Sequence, residues 1–332
     1  MIREYQQIQK YEKSNINVGG LEISFQRTCR VPLGRIHDLP AGLGSFPIFS
    51  VNDFRQGAPS EWKSDAFFMP MYAQEAMWMN FGRCSRTEAK ALIVAAGNIN
   101  AISGKPFNQS LIDAGRESEL DIKLESSENS QNYLVIPPQP WLDGWKATDG
   151  KIYQFVAAEL GSGQTVEGQI TGKETVGGLQ FVVYALVKPI QTQQRPREYI
   201  ADGSWASEKT HYSSALTLGP RCLGGESRSM GMGRGGEIKQ KIYTDPYGVE
   251  HWKTEPSGVE LIHIVSSEDF EQLTGHRAPK TPVTFEKYKQ LGLPWFALPD
   301  KHLKDSEGSE VFGKVKPVTD GKAANNQFDK FK

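Results

Sequence analysis

The chain has 332 residues, of which 38% are hydrophobic and 23% are charged. These values are typical of a folded protein, and the length suits one large domain or two smaller ones. The 38 basic and 39 acidic residues leave a net charge of −1, so we expect neither nucleic acid nor a membrane as a partner. No apolar run approaches the roughly 20 residues that a membrane-spanning helix needs.

The first residues of the chain and its cysteine content bear on the cellular compartment of the protein. Residues 1–15 (MIREYQQIQKYEKSN) are polar and lack the apolar core of a secretory signal. The three cysteines are far apart and odd in number, which does not suit a disulfide framework. We therefore expect a cytoplasmic protein. Residues 1–17 should form an N-terminal arm with a short helix over 2–13.

Alternating apolar residues predict the first long strand, over 19–32, with one buried face and one wet face. Arg27 interrupts its apolar face, so this side chain should lie at a rim or in a buried ion pair. The methionine-rich and aromatic stretch that follows predicts a short helix over 71–81. The apolar run ALIVAA predicts a buried strand over 91–96.

The densest β signal lies between 151 and 188. It predicts three strands, at 151–160, 164–172 and 177–188, which are separated by glycine-rich turns. The first and third are apolar on both faces and therefore need cover on both sides. This pattern favours a sandwich or barrel-like β core over residues 18–190.

The remaining third of the chain changes character. Residues 191–235 are polar, irregular and rich in glycine near their end, which predicts a linker or excursion. Two strands, at 237–248 and 259–265, and two short capped helices predict a ββαα unit over 236–299, packed on the core. Residues 300–332 are polar and predict a flexible tail or an arm that orders only on a partner. The expected fold class is therefore β-rich α+β.

The corner PPQPWLDGW holds the most distinctive side chains. Three prolines stiffen it, and Trp141 and Trp145 flank Asp143. One interpretation is a rigid aromatic corner whose indole N–H groups bond to backbone. The alternative is a carbohydrate or small-ligand site in which the tryptophans stack on sugar rings. In a hydrolase, Asp143 would then pair with Glu167 or Glu159 as the two carboxylates.

The stretch SMGMGRGG offers a second binding hypothesis, a phosphate or nucleotide site over 227–236. Backbone N–H groups around Gly231 and Gly233 could form an anion nest, and Arg228 and Arg234 would add positive charge. However, the residues that follow indicate a strand, whereas phosphate loops usually lead into a helix N-terminus.

No complete catalytic or metal-binding motif occurs in the sequence. We therefore expect no cofactor and no metal, and lean against an enzyme. The leading hypothesis is a non-enzymatic structural or interaction protein that self-associates into a homo-oligomer, since a net charge near zero removes long-range repulsion between copies.

Several segments together resemble a family of uncharacterised bacterial and fungal proteins, some of which are labelled "integral membrane protein". They include RTCRVP, NYLVIPPQPWLDG, QFVAAELGSGQTVEGQITG and LGLPWF, and with others they span residues 27–296. The resemblance implies that the chain is one integrated unit. It implies no site and no mechanism.

Overall fold

The structure is a computed structural model that describes residue 8 and residues 10–112, 131–148, 150–188, 229–280, 282–297 and 302–319. Most of the helix predicted over 2–13 lies outside these residues. So do residues 191–228 of the predicted linker.

Seventeen strands make up the β structure of the described residues, and fifteen of them belong to one sheet. In chain order they are β1 (Ile16–Val18), β2 (Leu21–Thr28), β3 (Ile36–His37), β4 (Leu39–Pro40), β5 (Phe49–Ser50), β6 (Phe67–Met71), β7 (Ala76–Phe81), β8 (Lys90–Ala96), β9 (Ile99–Asn100), β10 (Leu134–Ile136), β11 (Trp141–Leu142), β12 (Gly144–Lys146), β13 (Lys151–Glu159), β14 (Leu179–Ala185), β15 (Ser229–Lys239), β16 (Gly258–Ser266) and β17 (Trp295–Phe296). Strands β4 and β17 form a separate two-stranded sheet.

The α-helices of the described residues are short. They are α1 (Val166–Thr171), α2 (Ser267–Thr274), α3 (Phe285–Gln290) and α4 (Val311–Lys314). Ser266 caps α2 and Thr284 caps α3 through their side chains, as the sequence predicts. No helix in the described part of the chain has the length and apolar character needed to cross a membrane.

The large sheet is open. Its main path runs β1-β2-β7-β13-β15-β16-β14-β8-β10, with the remaining strands paired to its sides. Neighbours along this path are antiparallel, whereas β3 and β6 pair in parallel with β15 and β16. The β-rich α+β class is therefore confirmed, and the barrel-like alternative is wrong because the end strands β1 and β10 do not close the sheet.

One apolar core is shared by strands that are not neighbours in the sheet. The ring of Phe25 on β2 lies 5.7 Å from that of Phe181 on β14. Phe155 on β13 and Val94 on β8 belong to the same buried cluster. The sheet therefore curves so that its two arms cover a common core. The sandwich arrangement itself stays a prediction.

Strands β6 and β7 replace the helix predicted over 71–81. Met79 belongs to the buried core cluster, whereas the adjacent Trp78 does not. This alternation is the two-residue period of a strand. Glu75, in the turn between them, is buried and accepts a hydrogen bond from Arg27 Nε at 2.7 Å. Arg27 is only partly buried, so it combines the two predicted alternatives, a rim position and an ion pair with a buried partner.

Strand β15 occupies the end of the segment predicted as a linker over 191–235. It pairs with β13 from Lys239 at one end to Met230 at the other. The predicted boundary between the linker and the ββαα unit (236–299) therefore falls inside a strand. Because β16 pairs with β6, β14 and β15, both strands of that unit belong to the large sheet.

Residues 302–319 pack against the rest of the protein, contrary to the flexible tail predicted over 300–332. Phe312 and Val318 are buried in two different apolar clusters. Asp305 forms an ion pair with Lys146 of β12, with an Nζ–Oδ2 distance of 2.7 Å. A few widely spaced apolar residues thus anchor the segment 302–319 to the rest of the protein.

Candidate functional site

The corner between β10 and β13 gives its two tryptophans different environments. Trp145 is fully buried, and its indole N–H donates to the carbonyl oxygen of Gly233 at 3.1 Å. Its ring lies 5.1 Å from that of Phe155 and 5.2 Å from that of Phe312. The backbone-bonded indole is therefore confirmed for Trp145. Trp145 is left out of the candidate site, since both its ring and its N–H are engaged in the core.

Trp141 lies on the opposite side of the corner, beside a second tryptophan. It faces Asn80 across the β11–β7 pair. Because facing residues point to the same side, and Trp78 is two positions from Asn80, the two tryptophans share one face of the sheet. Both are half-buried.

The two tryptophans belong to a larger apolar group. We call it the aromatic cluster; its half-buried rings pack on three buried aliphatic side chains, and its members are Val31, Leu39, Trp78, Trp141, Ile238, Trp295 and Phe296. The small β4–β17 sheet contributes Leu39, Trp295 and Phe296. The cluster therefore joins one face of the large sheet to the small two-stranded sheet.

Asp143 is the most unusual polar residue of this region. It is 0% exposed, and neither carboxyl oxygen has a hydrogen-bond partner among the described residues. Burial raises the pKa of this carboxyl group well above its ordinary value of 3.8. The indole N–H of Trp141 opposes that rise in pKa, although the two groups do not reach hydrogen-bonding geometry. Burial therefore favours the protonated, neutral form of Asp143.

Two indole N–H groups on the sheet face that carries Trp141 are unpartnered as well. Nε1 of Trp78 and Nε1 of Trp141 are both buried without an acceptor among the described residues. An indole nitrogen can only donate a hydrogen bond. Buried polar atoms normally have partners, so three such groups on two adjacent strands and the corner mark this region as a candidate site.

The backbone of the corner is held rigidly. The side-chain amides of Gln139 and Gln240 both donate to the carbonyl oxygen of Trp141, at 3.0 and 2.9 Å. Gln240 also accepts from the backbone N–H of Asp143 at 3.1 Å. At Gly144, a Cβ would lie 1.9 Å from the carbonyl oxygen of Tyr153, so only glycine fits there. The position of Asp143 is therefore determined by its backbone rather than by its side chain.

Glu167 does not take part in this site. It lies in α1, not on the strand predicted over 164–172. Its carboxylate accepts hydrogen bonds from the backbone N–H groups of Thr175, Val176 and Gly177 at 2.8–2.9 Å. The carboxylate thus closes a loop of its own chain. Pairing of Asp143 with Glu167 or Glu159 in a hydrolase stays a prediction.

The described residues of the segment 227–236 form a strand, β15, rather than the predicted loop. Gly231 and Gly233 lie in β15, opposite residues of β13 in a regular antiparallel pairing. A paired strand does not present the successive free N–H groups of an anion nest. Arg228 lies outside the described residues.

Arg234 has a structural role in place of the predicted phosphate contact. Its Nη1 donates to the carbonyl oxygens of Phe312, Gly313 and Val315, the last at 2.6 Å. Its guanidinium group lies 3.5 Å from the centroid of the Tyr153 ring. The arginine therefore anchors the end of α4 to the sheet.

Close packing explains the glycines of β15. A Cβ at Gly233 would lie 2.3 Å from Cγ2 of Val318 and 2.6 Å from the carbonyl oxygen of Gln164. A Cβ at Gly236 would lie 2.6 Å from the carbonyl oxygen of Val31. Three separate chain segments thus pack directly against the backbone of β15, and side chains at these positions would displace them.

The other titratable groups do not form a competing centre. Within the described ranges, no three His, Cys, Asp or Glu side chains are grouped to hold a metal ion. His263 stacks on Trp62 with ring centroids 4.1 Å apart, and burial lowers its pKa to about 4. Burial raises the pKa of the Cys29 thiol to about 12, which makes it a poor nucleophile.

Sequence patterns identify two of the three site residues. Trp141 and Asp143 are predicted from the corner motif, but Trp78 is not, because its segment is assigned to a helix. The alternation in AMWMNF, with Trp78 between two core methionines, is the signal that would have placed it on the outer face of a strand.

Comparisons of the chain with protein-family models, with curated proteins and with solved structures find no match. The family resemblance based on the corner and its flanking segments therefore stays an expectation. The candidate site is identified from its geometry alone.

Proposed function

We propose that the protein binds a small organic ligand at the site formed by Trp78, Trp141 and Asp143. The observation that carries this proposal is the fully buried Asp143 carboxyl group with two unpartnered oxygens. A buried polar group without a hydrogen bond costs about 1–3 kcal/mol. This cost in stability has no benefit for folding. In a ligand site it would be offset on binding, because such sites combine aromatic walls with a few fixed polar groups.

Binding is better supported than catalysis. Hydrolysis of a glycosidic bond uses a pair of carboxyl groups. Glu167 and Glu159 are the two expected partners of Asp143, and the carboxylate of Glu167 accepts hydrogen bonds from three backbone N–H groups. Recognition of a ligand by Asp143 and the indoles requires no second carboxyl group.

Tryptophan fluorescence and calorimetry test the proposal. Methyl glucopyranoside and benzamide are suitable first probes, because each pairs a stacking surface with hydrogen-bonding oxygens. We expect saturable binding with a change in indole emission, about tenfold weaker binding in Trp141→Phe and loss of binding in Asp143→Leu. Trp145→Phe is the matched control, since it makes the same chemical change in the core and should lower stability without abolishing binding.

The controls separate the possible failures. Binding that is lost in Trp145→Phe but has unchanged affinity in Trp141→Phe would place the site elsewhere and refute the proposal. An absence of saturable binding for uncharged, cationic and anionic probes alike would refute it as well.

We also keep self-association in the cytoplasm as a proposal. It is supported by the net charge of −1, which removes long-range repulsion between copies. Light scattering over a hundredfold concentration range tests it. A mass that grows toward a multiple of 37.0 kDa would support self-association, and a constant monomer mass would refute it.

A further inference from the structure

We infer that the ligand of this site is uncharged and presents acceptor oxygens, as a sugar hydroxyl or an amide carbonyl does. The inference rests on the proposed function and names the chemical class that the site would take. It follows from the hydrogen-bonding capacity of the unpartnered atoms and from the charges that surround them.

The unpartnered atoms of the site are mostly donors. Trp78 Nε1 and Trp141 Nε1 are buried and can only donate. A protonated carboxyl group at Asp143 offers one further donor and one acceptor. A ligand with acceptor oxygens would satisfy the indoles, and a ligand hydroxyl or amide N–H would satisfy the remaining oxygen of Asp143.

The cation nearest to Asp143 along the chain is already paired. Lys146, at the end of the same corner, is 0% exposed and contacts both carboxylate oxygens of Asp305, at 2.8 and 2.7 Å. Lys146 therefore does not serve as a counter-ion for an anionic ligand beside Asp143, and such a ligand would bury a charge next to a carboxyl group, which is unfavourable.

A cationic ligand fits no better. An ammonium group carries donors and no acceptor. It could pair with Asp143 after that acid loses its proton, but it would leave the N–H groups of Trp78 and Trp141 without acceptors. An uncharged oxygen compound is the class that satisfies all three side chains without burying a new charge.

Two matched sets of probes test the inference by calorimetry at pH 7. The first set is methyl glucopyranoside with its glucuronide and glucosaminide analogues, which carry a carboxylate and an ammonium group. The second is benzamide with benzoate and benzylammonium. We expect the uncharged member of one set to bind at least about tenfold more tightly than its charged analogues, in line with an uncompensated buried charge. The set that responds distinguishes hydroxyl oxygens from a carbonyl oxygen.

The variants sharpen the test. Asp143→Asn keeps a neutral donor and acceptor and should retain binding, whereas Asp143→Leu should abolish it. Trp141→Phe should weaken the uncharged probe by about tenfold, the effect of one lost hydrogen bond. Affinity for the uncharged probe should not change between pH 5 and pH 7.

The outcomes are distinguishable. Tighter binding of an ammonium or carboxylate probe at this site would overturn the ligand class and leave the proposed function standing. So would an affinity that rises about tenfold per pH unit, because it would show that Asp143 ionises on binding. Binding of no probe in either set would refute the proposed function itself.

Discussion

Replacing Asp143 by asparagine should make the protein more stable at neutral pH and leave it almost unchanged in acid. The carboxyl group is 0% exposed and has no hydrogen-bond partner among the described residues, so its ionised form is poorly accommodated. Asparagine has nearly the same shape and carries no titratable proton. The variant thus isolates the consequence of holding one buried acid in its neutral form.

The sign of the effect follows from proton binding. The pKa of Asp143 in the folded protein is raised well above its ordinary value of 3.8. Between these two values the unfolded chain has lost the proton and the folded chain still holds it. The free energy of unfolding therefore decreases as pH rises through this window, by up to about 1.4 kcal/mol per pH unit for one proton. Below the ordinary value both states are protonated and the effect disappears.

Urea unfolding of the wild type and of Asp143→Asn, at half-unit steps from pH 4 to pH 7.5, measures this difference. Other titrating groups are common to both proteins and cancel in the comparison. We expect the variant's advantage to grow with pH at a slope that approaches about 1.4 kcal/mol per unit. A difference that stays constant with pH would show that Asp143 is ionised in the native protein and would refute the reasoning.

Other predictions concern the buried charges and the corner. Asp305→Ala should cost about 3–5 kcal/mol in urea unfolding because it leaves the fully buried ammonium of Lys146 unpaired, whereas Lys146→Met should cost less. The wild type should lose stability as pH falls from 6.5 toward the His263 pKa of about 4, and His263→Phe should remove this loss. Equal acid sensitivity of the two proteins by circular dichroism would contradict this. Gly144→Ala should fail to fold or lose more than about 3 kcal/mol, while Gly313→Ala, where a Cβ meets nothing within 4 Å, should melt like the wild type.

Local patterns predicted those elements whose conformation depends on near neighbours. The alternation over 19–32 corresponds to β2, and the apolar run over 91–96 to β8. Ser266 and Thr284 cap their helices as their positions indicate. In each case the deciding interactions lie within a few residues, so the printed sequence is sufficient.

The segment 164–172 shows where such patterns fail. Its alternation predicts a strand, yet it forms α1, which Thr165 caps by accepting from the N–H of Gly168. The carboxylate of Glu174 also accepts from the N–H and hydroxyl of Thr165. Two local signals compete here, and contacts with the following loop favour the helix over the strand.

The candidate site divides in the same way. The residue types of the corner, with Trp141 and Asp143 beside a glycine that admits no Cβ, are visible in the sequence. Complete burial of Asp143 is not, because it depends on Gln240 and on the partner strands of the sheet. The same holds for Trp78, which joins the site only through the pairing of β7 with β11.

The sequence by itself determined the β-rich composition, the helix caps and the shape of the corner, since these follow from interactions over short separations. Tertiary structure alone decided that the glycines of β15 form a central strand. Glycines are equally suited to a mobile loop and to a strand that Val318 and Gln164 contact too closely to leave room for a Cβ. Only the packing of these distant segments on β15 shows that its glycines belong to a strand. Burial of an unpartnered acid likewise arises when several elements close over one position.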